Sequence, residues 1–125
     1  MPTRRFLRSQ PLFLYFEIYN LQADETRRMH YRVDYTIRAG KLDRNAVERF
    51  FAGLKGLVGV HEEPEAITLS FEREGFHPAR AVWPESVSFD TSALPAGTYT
   101  LEVEVTDHEF YDRTNRSKAT FTIVD

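Results

Sequence analysis

Two carboxylates, Glu102 and Glu104, stand two residues apart in the stretch LPAGTYTLEVEVTD that runs from Leu94 to Asp107. On an extended chain that spacing puts their side-chain roots on one face, about 7 Å apart, a separation that paired glycosidase carboxylates use. The wet face of a sheet lacks the apolar pocket that raises one carboxyl pKa for acid catalysis. Cross-strand pairing with Arg32 or Arg38 is therefore the simpler reading. A second acidic set, Asp107, Glu109 and Asp112 with Asp90, would offer oxygen ligands to a calcium ion, which takes about six to eight. It contains neither an EF-hand glycine nor a dense Asp-x-Asp run, and a solvated loop accounts for it more simply. His30, His61, His77 and His108 are dispersed, and without cysteine nothing completes a zinc set. No nucleophile elbow, phosphate loop or dinucleotide fingerprint appears. Nothing therefore nominates a catalytic residue or a cofactor, and the chain reads as non-catalytic.

The most suggestive group is aromatic. Phe13, Tyr15 and Tyr19 alternate along the first apolar stretch, and rings stacked on a flat sheet can hold sugars or a partner's apolar patch. The plainer account is that a helix carrying Val47, Phe50, Phe51 and Leu54 covers them.

Strands must position these groups. In the stretch from Leu94 to Asp107, Tyr99, Leu101, Val103 and Val105 point one way and Thr100, Glu102, Glu104 and Thr106 the other. That period of two marks a half-buried strand. Pro95-Ala96-Gly97 opens it with a turn, and Tyr99 just beyond fits a tyrosine corner, whose hydroxyl bonds backbone slightly upstream. Leu12 to Leu21 reads as a strand apolar on both faces. Met29 to Arg38 alternates cleanly, with Met29, Tyr31, Val33, Tyr35 and Ile37 inward. Val47, Phe50, Phe51, Leu54 and Val58 then fall at helical spacing, with Asn45 and Glu48 resembling a capping box. Gly53 and Gly56 weaken that helix by roughly 1 kcal/mol each.

Val60 to Glu65 reads as an acidic connection and Ala66 to Arg73 as a strand. Ala81 to Trp83 reads as a short strand stopped by Pro84, with Val87 and Phe89 on another. A polar loop from His108 to Ser117 precedes a closing strand, Lys118 to Val124. The expected fold is all-β: an immunoglobulin-like Greek-key β-sandwich of about seven strands with one short helical insertion at about 45–56. Residues 1–11 are expected to form a basic lead-in, and 12–125 a single domain, long enough to bury a sizeable core.

The net charge is −3, which argues against a nucleic-acid partner held by phosphate neutralisation. The charge is uneven: residues 1–60 carry 11 Lys and Arg against 6 Asp and Glu, residues 61–125 carry 5 against 13. Internal pairing across a sheet absorbs such asymmetry. No apolar run approaches the ~20 residues of a membrane-spanning helix. Thr3-Arg4-Arg5-Phe6-Leu7-Arg8 has a faint twin-arginine character, but the apolar run from Pro11 ends at Glu17 without a cleavage site.

The opening strand LYFEIYNL, the Tyr-rich second strand, Leu94-Pro95-x-Gly97-x-Tyr99-x-Leu101-x-Val103-x-Val105-x-Asp107 and the closing Ala119-x-Phe121-x-Ile123 together resemble the β-sandwich region of bacterial GWxTD-domain proteins. The Gly-Trp-x-Thr-Asp motif itself is absent, because Pro84-Glu85 follows Trp83. The resemblance implies an immunoglobulin-like fold and a bacterial envelope or secreted setting, and carries over no functional residue. The expected function is a contact or spacer module within a larger envelope protein. Its partner would be another protein, a neighbouring domain or a second copy of the chain. A carbohydrate- or calcium-binding accessory module is the alternative.

Overall fold

The computed structural model describes residues 3–7, 10, 12–19, 25, 27–54, 56–76, 82–109 and 113–124. In chain order the elements are β1 (Thr3–Leu7), β2 (Leu12–Tyr19), β3 (Arg28–Arg38), α1 (Arg44–Phe50), β4 (Leu57–Glu63) and β5 (Ala66–Phe76). They continue with β6 (Val82–Phe89), a 3-10 turn (Thr91–Ala93), β7 (Gly97–Asp107) and β8 (Arg113–Val124). One sheet has the order β1-β8-β7-β3-β5-β4 and the other pairs β2 with β6. Neighbours run antiparallel, except that β1 lies parallel to β8. The fold is an all-β sandwich with one helix, as the alternating pattern implies.

Alternation builds the core. Met29, Tyr31, Val33, Tyr35 and Ile37 of β3 are each at most 1% exposed. Ile67, Leu69 and Phe71 of β5 and Tyr99, Leu101, Val103 and Val105 of β7 flank them, facing Leu12, Ile18, Val87 and Phe89 of the smaller sheet. Burying each large side chain stabilises the fold by about 2 kcal/mol. The Tyr99 hydroxyl donates to the Pro95 carbonyl at 2.6 Å, closing the turn before β7.

Six strands are about 24 Å across and two only about 5 Å, so two strands cannot roof the larger sheet. The helix fills part of the shortfall. Phe50 stacks on Phe89 of β6 at 4.8 Å and on Phe121 of β8 at 6.0 Å, so one ring touches both sheets. Phe51 packs on Tyr35 and Phe89. The helix spans seven residues, fewer than the 45–56 expected, because the backbone leaves helical geometry at Phe51 (φ −95°, ψ 9°); the chain then reaches β4 through Gly56, where φ is +90°. Val58, counted in the helical stripe, lies on β4 instead. Asp43, accepting from the Asn45 amide at 3.2 Å, caps the helix in place of Asn45; Glu48 pairs with Arg44 at 3.6 Å.

Edges account for the other departures from expectation. Part of the expected lead-in is β1, held by β8. The expected acidic connection is β4, joined to β5 by a two-residue turn, Pro64-Glu65, in which Glu65 takes φ 69°. β2 ends at Tyr19, β5 runs on to Phe76, and β8 begins at Arg113 within the expected loop. β6 passes straight through Pro84, which sits opposite Glu17. Among the described residues β6 has a neighbour on one side only, so a missing amide donor is tolerated there. No helix of the described residues is long and apolar enough to cross a membrane.

Candidate functional site

The pleat of β2 turns Leu12, Leu14, Phe16 and Ile18 toward the core. It leaves Phe13 70% and Tyr15 62% exposed on the outer face. Tyr19 ends the same strand, opposite Val82. In register Phe13 lies opposite Ser88 and Tyr15 opposite Ser86, and the two aromatic positions are about 7 Å apart along the strand. The Tyr15 hydroxyl donates to Glu17 Oε1 at 3.3 Å. The helix does not cover this face: Val47, Phe50 and Phe51 are buried on the interior side. Two adjacent exposed rings on a two-stranded sheet form a flat apolar platform.

Glu102 and Glu104 lie on the outer face of β7, clamped by a guanidinium. Arg116 of β8 donates to Glu104 Oε2 through Nη2 at 2.5 Å and Nε at 2.8 Å, and its Nε is 3.7 Å from Glu102. The bond to Glu104, reinforced by both carboxylate charges, raises the Arg116 pKa. Arg38 stands 4.0 Å from Glu102, as expected of a cross-strand partner, whereas Arg32 turns to Asp34 at 3.1 Å. Both carboxylates are half-buried and each is drawn to a guanidinium of a neighbouring strand, the cross-strand pairing of a sheet's polar face.

Asp107 is 3% exposed and accepts from the Glu109 amide at 3.0 Å, an Asx-type turn closing the end of β7. Glu109 itself lies 3.4 Å from His30 Nδ1, and Asp112 falls outside the described residues. Asp90 caps the 3-10 turn through the Ser92 amide at 3.0 Å. Among the described residues no three of these side chain types gather as a metal-ligand set. His30 also faces Glu74 at 3.7 Å, and His61 and His108 each lie 3.1 Å from a glutamate, Glu63 and Glu72. His77 is outside the described residues.

One polar constellation escaped the sequence reading. Tyr31, buried on β3, donates across the sandwich to Glu85 Oε1 of β6. Burial, with Glu85 adding and Arg73 opposing, pushes the neighbouring Tyr35 phenol well above its ordinary value. The signal was available, since Glu85 shares the parity of Val87 and Phe89 and must face inward. It ties the two sheets together.

Two recesses are lined by described residues. One of about 420 Å³ lies between the start of the helix and the turn before β7, lined by Leu42, Ala46, Leu94, Pro95 and Tyr99 with Lys41 and Asp43 at its mouth. The other, about 250 Å³, opens between β2 and β7–β8, where Phe16 and Ile18 face Val103 and Val105 beside Asn115, Arg116 and Ser117. Neither protein-family models nor curated proteins give a match to the sequence.

Proposed function

We propose that the chain is a non-catalytic, immunoglobulin-like contact module of a bacterial envelope protein, which binds a protein partner through the outer face of β2. The exposed pair Phe13 and Tyr15 carries this reading, because water-exposed rings on a flat, short strand pair have a large apolar area to bury in a complex. The strand arrangement supports the immunoglobulin-like assignment: a central β3 flanked by β7 and β5, with β2 and β6 forming the facing pair, parallels the variable-type layout. It departs from that layout in placing β5, not β4, beside β3. The envelope setting rests on the resemblance to GWxTD-domain sandwiches.

Affinity capture from a bacterial envelope extract, followed by direct titration of the captured protein, tests the proposal. The expected result is a partner whose affinity falls at least tenfold in the Phe13→Ser, Tyr15→Ser variant. Glycan-array binding that disappears with Tyr15→Ala and no protein partner would overturn it in favour of a sugar-binding module, for which exposed rings beside Glu17 are also suited.

A further inference from the structure

The recess of about 420 Å³ between the helix and the turn before β7 has fixed apolar walls and an unengaged cation at its rim. Tyr99 cannot swing in to fill the space, because its hydroxyl is held by the Pro95 carbonyl at 2.6 Å and its ring lies on Phe121 at 5.5 Å. Ala46 stands on the helix beside Val47, which with Phe50 is anchored in the core. Its single methyl leaves room that a larger side chain would take. Leu94, 1% exposed, follows the 3-10 turn that Asp90 caps, and Leu42 and Pro95 complete the lining. Of the two charged residues at the mouth, Asp43 is engaged with the Asn45 amide at 3.2 Å. Lys41 is exposed and makes no hydrogen bond or ion pair among the described residues.

We infer that this recess binds a small amphiphilic carboxylate, its apolar tail between Leu42, Ala46, Leu94 and Tyr99 and its carboxylate on the Lys41 ammonium. Small-ligand sites are concave, mostly apolar and formed in advance, with a few polar groups that fix orientation. Size sets the tail. At about 30 Å³ for a water-sized group, a chain of roughly eight to ten carbons occupies more than half of the recess and leaves its head at the opening. Charge sets the head. An ammonium without a partner gains one from an anion. A cationic ligand would meet that ammonium and find Asp43 already committed to the helix cap. Walls held in place before binding also lower the ordering cost of association. The site shares no residue with the outer face of β2, so it does not rest on the protein contact proposed there.

Nuclear magnetic resonance titration of the full chain with sodium octanoate, butanoate and octylammonium chloride tests this on the wild type and on Lys41→Glu. The expected result is saturable shifts at the amides of Leu42, Ala46, Leu94 and Tyr99. Octanoate is expected to bind more tightly than butanoate, by about two- to fourfold for each added methylene that the recess covers. Octylammonium is expected to bind the wild type more weakly than octanoate. In Lys41→Glu that order is expected to reverse, each affinity changing roughly fivefold. The reversal is a gain for octylammonium, which misfolding cannot produce. Octanoate that leaves these amides unmoved overturns the inference. Equal binding of octanoate and octylammonium overturns it too, as does a preference that Lys41→Glu leaves intact. Shifts gathered at Phe13 and Tyr15 instead also overturn it, by placing the apolar tail on the outer face of β2.

Discussion

Phe50 of the helix and Phe89 of β6 stack with centroids 4.8 Å apart and planes 7° from parallel. The ring is fully buried and stands where a third strand of the smaller sheet would otherwise fill the interior. Phe50→Ala opens a cavity between the two sheets and is expected to cost about 3–5 kcal/mol. Urea unfolding measures it. A loss below about 1 kcal/mol would mean that the helix is an appendage and not part of the core.

Tyr99→Phe removes the hydrogen bond from the phenol to the Pro95 carbonyl and leaves the ring on Phe121 at 5.5 Å. Pro95 is exposed, so water can satisfy the released carbonyl. The expected cost is about 1 kcal/mol, seen as a lower urea midpoint with unchanged slope.

The two glycines after the helix are expected to respond differently to alanine. At Gly56, φ is +90° and a Cβ would lie 2.8 Å from the Glu72 carbonyl oxygen. Gly56→Ala is expected to cost roughly 2 kcal/mol. At Gly53 a Cβ would meet the Ser88 carbonyl oxygen at 3.7 Å, an ordinary contact. Gly53→Ala is expected to be neutral or to stabilise by about 0.5 kcal/mol. Equal effects in thermal melts would refute the distinction.

Thr106 is 3% exposed, and its hydroxyl has no hydrogen-bond partner among the described residues. A buried unpaired hydroxyl is a standing cost, which an isosteric methyl removes. Thr106→Val is therefore expected to stabilise by about 1 kcal/mol, read from the same unfolding curves; destabilisation would show that the hydroxyl is bonded.

The Tyr35 phenol titrates above its ordinary value of 10.0, chiefly because burial disfavours the phenolate. A folded pKa raised above the unfolded one gives stability that is complete below the unfolded value and is lost as pH climbs toward the folded one. Unfolding at alkaline pH should accordingly set in above pH 10, with the late phenolate absorbance rising together with the loss of circular dichroism. Tyr35→Phe should make that loss shallower. Ionisation of all six tyrosines at the ordinary value, before any unfolding, would contradict this.

The amino-acid sequence by itself determined the central strands and their inward faces. β3 and β7 have neighbours on both sides and a covered inner face, so burial imposes strict alternation on them, and alternation is legible. It also determined the turn at Pro95 and the ring that closes it, because that bond spans four residues. Tertiary structure alone decided the edges. β1, β4 and the first half of β8 owe their extended form to a neighbour's backbone bonds, which leave no mark on composition; Asn115 and Ser117 are polar because they face a cleft instead of an opposing sheet. Only the assembled fold could show that the helix is turned inward and Phe13 and Tyr15 outward, since which apolar face meets the core depends on what packs opposite, and local spacing does not carry that.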